Sequence, residues 1–137
     1  MLRTIVTYFT TLFAFAAIDS IWLTLVAGPL YRGTLGDILL TQFRPVPALA
    51  FYLIMILGIM VFVVPRGRSL PMVFLYGALF GFFTYATFDL TSFAIIRAWT
   101  FDLAWTDIAW GTFLTGAASS LGVWLAGRVF RKKAVLF

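Results

Sequence analysis

The stretch LPMVFLYGALFGFFTYATFDLTSFAII, residues 70–96, decides the fold of this chain. Its single charged side chain is Asp89. A helix needs about 20 mostly apolar residues to cross a hydrocarbon layer of about 30 Å. This run is long enough, so it predicts a transmembrane helix with one buried carboxylate.

The rest of the chain has the same character. Of its 137 residues, 63% are hydrophobic and 11% are charged. A soluble domain of this length could not bury so much apolar surface. Further apolar runs cover residues 4–27, 47–64 and 106–126. We therefore predict an all-α polytopic membrane protein, a single domain over residues 1–137 that forms a bundle of four transmembrane helices.

The segment between the first and second spans is more polar. Gly28-Pro29 is expected to end the first helix, and Thr34-x-x-Asp37 offers a capping box for another. The apolar residues that would share one face of this helix are Leu35, Ile38, Leu39 and Phe43. The pattern predicts a short helix that lies flat at the membrane interface.

Small residues mark the expected contacts between helices. Gly77 and Gly81 form a Gly-x-x-x-Gly motif in the third span, which lets a neighbouring backbone approach closely. The fourth span carries a small-residue stripe at helical spacing, made of Gly111, Thr115, Ala118 and Gly122. We expect both faces to pack against other helices.

The positive charges predict the orientation, because cytoplasmic loops are enriched in Lys and Arg. One side of the four spans holds Arg3, Arg66, Arg68, Arg128, Arg131, Lys132 and Lys133. The other side holds Arg32, Arg44 and Arg97. The bias predicts that both termini are cytoplasmic. A basic excess at span ends is a membrane feature, so no nucleic-acid partner is expected.

Three acids fall at similar depth on the opposite, outer side. Asp19 lies in the outer part of the first span, Asp89 in that of the third, and Asp107 at the outer end of the fourth. An Asp at mid-membrane costs about 2.5 to 3.5 kcal/mol on insertion scales. We therefore expect these side chains to point into the bundle and to form one cluster.

Polar and aromatic residues accompany the acids. Tyr85 and Ser92 share a helical face with Asp89, whereas Trp22 and Trp110 follow their acids in Asp-x-x-Trp patterns. Arg32, Arg44 and Arg97 lie on the same side and could neutralise one or more of the carboxylates. The candidate binding or proton-linked residues are Asp19, Asp89, Asp107, Tyr85, Trp22, Trp110, Arg32, Arg97 and Ser92.

Three functions remain open for this cluster. In the first, crowded carboxylates share protons in an outer pocket that binds or moves a small solute or lipid headgroup, with Asp89 as the proton-responsive group. In the second, the acids pair with Arg32, Arg97 or aromatic donors and hold helices together in an accessory subunit of a membrane complex. The third is a lipid-modifying enzyme.

The enzyme reading is the weakest of the three. The chain has no Cys and no His, which excludes thiol nucleophiles, imidazole bases and soft metal sites. We predict no catalytic residue, metal or cofactor. The bilayer itself is the expected partner, and a translocation path through so small a bundle would require a homodimer or a larger complex.

Several motifs resemble an uncharacterised bacterial family of inner-membrane proteins, domain of unknown function 2177. The motifs are Asp19-x-x-Trp22-Leu23, Tyr31-Arg32-x-x-Leu35-Gly36, Pro47-Ala48-x-x-Phe51-Tyr52, Gly77-Ala78-Leu79-Phe80-Gly81, Tyr85-Ala86-Thr87-Phe88-Asp89-Leu90-Thr91-Ser92, Trp99 and Asp107-x-x-Trp110-Gly111-Thr112. The family tends to read Tyr and Asn where this chain has Phe88 and Ser92.

The resemblance covers nearly the whole chain and implies four helices in a bacterial inner membrane. It implies no established activity. Relatives are sometimes encoded near fatty-acid-modifying enzymes, which favours a lipid-related or hydrophobic ligand.

Overall fold

A computed structural model describes residues 1–135, with side chains described as far as Arg131. Its main helices are α1 (Leu2–Trp22), α2 (Gly28–Leu35), α3 (Pro45–Gly58), α4 (Leu70–Ile95) and α5 (Phe101–Val135). Four helical stretches are long and apolar enough to cross a membrane, namely Leu2–Ile38, Pro45–Arg66, Leu70–Ile95 and Phe101–Arg131. The predicted all-α fold with four membrane-spanning helices is confirmed.

The first span is longer than predicted. Gly28-Pro29 does not end it, because α1 continues into α2 through one turn of π-helix, Leu23–Ala27. The backbone N–H of Gly28 donates to the carbonyl of Leu23, five residues earlier. This wider turn places Pro29 in the first turn of α2, where its missing N–H is tolerated. The expected helix end at Gly28 is therefore wrong.

The predicted interfacial helix is not confirmed either. Thr34 lies inside α2, which ends in a 3-10 turn at Gly36–Ile38 without a side-chain cap. Residues 39–44 are then non-helical, and Phe43 is 77% exposed. The capping box fails because α2 is an extension of α1 and needs no new start.

Close packing of α4 against α5 confirms the role expected of the two glycines in α4. A Cβ on Gly81 would lie 2.6 Å from Thr115 Oγ1, and one on Gly77 would lie 2.9 Å from the Thr115 carbonyl oxygen. Thr115 and Ser119 are fully buried in this contact. Only glycine therefore permits this approach of the two backbones.

The far part of the small-residue stripe packs against α1. A Cβ on Gly122 would lie 2.6 Å from the Cα of Thr11. The hydroxyl of Thr10 also donates to the Gly122 carbonyl at 2.8 Å. One stripe on α5 thus serves two neighbours, because Gly111 and Thr115 face α4 whereas Gly122 faces α1.

Helix α3 is the peripheral element. It packs against α1, where the hydroxyl of Tyr8 donates to the Leu53 carbonyl at 3.0 Å. The π-helical turn that follows α3, Ile59–Val63, packs against α4. Among the described residues, α3 itself has few close backbone contacts with α4. The two helices therefore separate towards the beginning of α3.

The end of the bundle where α2 and the 96–100 connection lie is hereafter called the α2 end. A separate apolar cluster lies there. Its buried members are Leu35, Trp99, Leu103 and Ala104. The arginines expected on the outer side, Arg32, Arg44 and Arg97, belong to α2 or to connections at this end. The side chains of Lys132 and Lys133, used for the predicted orientation, lie outside the described residues, and the orientation stays a prediction.

The glycine contacts generate a stability prediction. Gly81→Ala should lower the free energy of unfolding in detergent by about 1 to 3 kcal/mol, because the added Cβ overlaps Thr115 and forces α4 from α5. Gly127→Ala is the matched control, since a Cβ there meets nothing within 4 Å. A helical Gly→Ala change without a clash should be neutral or stabilising. Equal loss in both variants, measured by thermal unfolding, would contradict the packing account.

Candidate functional site

Asp19 is a fully bonded carboxylate that joins three helices. Its Oδ2 accepts a hydrogen bond from the Tyr52 hydroxyl of α3 at 2.6 Å. Its Oδ1 accepts one from Trp110 Nε1 of α5 at 3.2 Å. The side chain is 6% exposed. Because each oxygen accepts a hydrogen bond, the desolvation cost of burying this carboxylate is offset. The two hydrogen bonds link α1 to α3 and α5.

The two tryptophans of the Asp-x-x-Trp patterns meet each other. Trp22 and Trp110 stack with ring centroids 4.5 Å apart and planes 5° from parallel. The indole N–H of Trp110 bonds to Asp19 on another helix, although Asp107 is the acid of its own pattern. The pattern therefore marks a contact between α1 and α5.

Asp89 and Asp107 form a second acidic group, in which Asp89 lacks a hydrogen-bond donor among the described residues. The side chain of Asp89 is fully buried, and neither of its oxygens has a hydrogen-bond partner among the described residues. The carboxyl of Asp107 faces it from α5 and also faces the phenol of Tyr31. Two ionised carboxylates without a donor between them would be strongly unfavourable in an apolar bundle.

Tyr85 is close to both acidic groups. Its phenol lies within electrostatic range of Asp19, Asp107 and Asp89, and of the Tyr52 phenol. A Cβ on Gly111 would overlap the Tyr85 ring, so the small residue on α5 makes room for it. The three acids therefore lie near this one tyrosine, towards the α2 end of the bundle.

A cavity of about 320 Å³ adjoins this cluster. It lies between α3, α4 and α5, and its volume is in the lower range of small-molecule pockets. Its lining consists of Phe51, Thr84, Tyr85, Phe88 and Asp107. Both hydrogen bonds of the Thr84 hydroxyl go to carbonyls of its own helix. Asp107 is the one residue of this lining with an ionisable carboxyl, and Phe51, Tyr85 and Phe88 supply aromatic rings around it.

The remaining candidate residues lie elsewhere. Arg32 and Arg97 are exposed, and neither donates to Asp19 or Asp89. Arg32 instead lines a surface cavity with residues 36, 39–43 and 45. Ser92 is buried near the end of α4, about one turn beyond Asp89. The structure thus brings together the acids and Tyr85 without the arginines.

The sequence reasoning missed four participants. Tyr31 faces Asp107, Tyr52 bonds to Asp19, and Phe51 and Phe88 line the cavity. All four belong to the motifs that carried the family resemblance, which was the available signal. For metals, the described residues contain no group of three Asp, Glu, His or Cys side chains placed to hold an ion.

Residues 4–124 match a family described as "Predicted membrane protein (DUF2177)". The chain belongs to this family, as its motifs indicated. No curated protein and no solved structure matches the chain.

The bonding of Asp19 predicts a structural role for that acid. Asp19→Asn leaves one acceptor for two donors, so it should lower the free energy of unfolding by about 1.5 to 3 kcal/mol. Tyr52→Phe should also destabilise, and the double variant should lose less than the sum of both. Unfolding of the four proteins in detergent measures this coupling, with the exposed Asp37→Asn as the control. Additive losses would contradict a shared hydrogen bond.

Proposed function

We propose that the protein binds an organic cation, either a free amine or an ammonium-bearing headgroup, at Asp107, in exchange for a proton held between Asp89 and Asp107. The observation that carries this proposal is the state of Asp89. It is fully buried, has no hydrogen-bond donor among the described residues, and is adjacent to the acid that lines the cavity.

The proposed proton between Asp89 and Asp107 is inferred from the free-energy cost of burying a carboxylate in its charged form. An isolated carboxylate in an apolar interior is far costlier than a neutral or paired one. A proton between Asp89 and Asp107 would provide the missing donor and leave one negative charge for two carboxyl groups. A cation that approaches Asp107 from the cavity would repel this proton, so binding and proton release would be linked.

The walls of the cavity favour a cation as well. Phe51, Tyr85 and Phe88 supply aromatic rings around one carboxylate. Aromatic faces attract ammonium groups, and clusters of such rings are a recurrent means of holding quaternary ammonium. An anion would face the acids, and no Lys or Arg is buried among the described side chains to offset the repulsion.

A second candidate is an accessory or structural subunit of a membrane complex. The Asp19 cluster supports it, because hydrogen bonds to Tyr52 and Trp110 explain one buried acid entirely by helix packing. The same account does not extend to Asp89, which bonds to none of its described neighbours. We therefore assign Asp19 to stability and the Asp89–Asp107 pair to binding.

The proposed setting is a bacterial inner membrane with both termini in the cytoplasm, which places the α2 end in the outer leaflet. The basis is the bias of Lys and Arg towards the other end of the spans. Movement of the ligand across the membrane would require a second copy or a partner, because four helices are few for alternating access.

Ligand binding can be tested with tetramethylammonium on the purified protein in neutral detergent. Binding should raise the unfolding temperature, by an amount equivalent to about 2.7 kcal/mol at one hundred times the dissociation constant. Asp107→Asn should abolish the rise, and Asp102→Asn, an exposed acid at the start of the same helix, should preserve it. A rise that survives in Asp107→Asn would exclude this site.

The proton linkage predicts a direction of pH dependence. Because the cation replaces a proton, affinity should increase between about pH 5 and pH 8, by up to about tenfold per pH unit for one proton exchanged. Asp89→Asn should flatten this slope, since its amide can donate to Asp107 without a titrating proton. The measurement is isothermal titration of tetramethylammonium at several pH values. An equally steep slope in Asp89→Asn would remove Asp89 from the mechanism.

A further inference from the structure

We infer that the ligand is an amphiphile with an ammonium head, and that it reaches Asp107 sideways from the bilayer through the cleft between α3 and α4. This inference rests on the proposed function, because it uses the same site. It adds the class of ligand and the route by which the ligand enters.

The cleft results from the way α3 is held. The second span contacts α4 through its π-helical end, Ile59–Val63, whereas α3 packs on α1. Phe51 of α3 and Phe88 of α4 both line the cavity, and they are 45% and 53% exposed. The cavity therefore opens between two helices on the surface that faces lipid.

The depth of this opening places it within the hydrocarbon layer. Phe88 lies about two helical turns, roughly 10 Å, before the end of α4. Asp107 lies at a similar distance after the start of α5. A molecule with an acyl or alkyl chain already resides at this depth, whereas a soluble ion would have to leave water to reach the cleft.

An apolar cluster at the α2 end blocks the direct route from water to the acids. Leu35, Trp99, Leu103 and Ala104 are buried together at the α2 end. The Trp99 ring also contacts the rings of Tyr31 and Phe88 edge to face, with centroids 6.0 and 5.5 Å away. An apolar cover at the aqueous end and an aromatic opening at the lipid side favour lateral entry.

The charges around the site select the head of the amphiphile. The titratable groups that act on the Asp89–Asp107 pair are Asp19 of α1, Tyr31 of α2 and Tyr85 of α4. Among the residues whose side chains the structure describes, this set holds one acid and two phenols and no base. A cationic head is attracted to it, whereas a phosphate or carboxylate head would be repelled.

Photo-crosslinking tests this inference on the full chain in phosphatidylcholine nanodiscs. The probe is a long-chain primary amine with a diazirine in mid-chain, and the comparison is the carboxylic acid of equal length. The amine should label α3 and α4 beside the cleft at least about tenfold more than the acid, which corresponds to about 1.4 kcal/mol of selectivity. Asp107→Asn should remove the difference, and Asp102→Asn should retain it.

The outcomes separate this inference from the function on which it rests. Loss of labelling on addition of tetramethylammonium supports one shared site. If tetramethylammonium binds through Asp107 but leaves the labelling unchanged, or if amine and acid label alike, lateral capture of an amphiphile is overturned and cation binding stands. If binding of neither tetramethylammonium nor the amine depends on Asp107, both proposals fail.

A pair of tryptophan variants tests the cleft itself. Phe88→Trp should reduce labelling by the amine because the larger ring narrows the cleft, whereas Leu90→Trp, on another face of α4, should leave the labelling unchanged.

Discussion

The requirement that a carboxylate buried among apolar helices have a donor organises this protein. In water a carboxylate is solvated at no cost, but in a bundle surrounded by hydrocarbon its partners must come from the chain itself. Asp19 has two such partners, and its hydrogen bonds join α1, α3 and α5. Asp89 has none among the described residues. The two buried acids of one cluster therefore differ in their bonding, and the proposed division between a structural and a ligand-binding acid rests on that difference.

Close helix packing is what holds the second acid out of water. Gly77 and Gly81 bring α4 against α5, and Gly111 admits the ring of Tyr85. This packing sets the carboxyls of Asp89 and Asp107 face to face. Larger residues at the glycines would separate the helices and let water reach the acids. The small-residue stripe is therefore a condition for the unusual state of Asp89 as well as a source of stability.

Much of this arrangement could be predicted from residue patterns alone. Four spans follow from runs of apolar residues, and the inward direction of Asp19, Asp89 and Asp107 follows from the cost of exposing them to lipid. The partners could not be predicted, because they depend on helix rotation and on distances between helices. Trp110 is one example, since its pattern points to Asp107 but its N–H reaches Asp19. Arg32 and Arg97 are another, since shared depth did not bring them to the acids.

The error at Gly28-Pro29 has consequences for the site. Had the first helix ended there, Tyr31 would lie in a connection and Leu35 would belong to a separate surface helix. The π-helical turn at Leu23–Ala27 instead carries α1 past Pro29. As a result Tyr31 faces Asp107, and Leu35 joins Trp99 over the α2 end. A local rule about proline is overridden by a single wide turn, and that turn brings Tyr31 to Asp107 and Leu35 to Trp99.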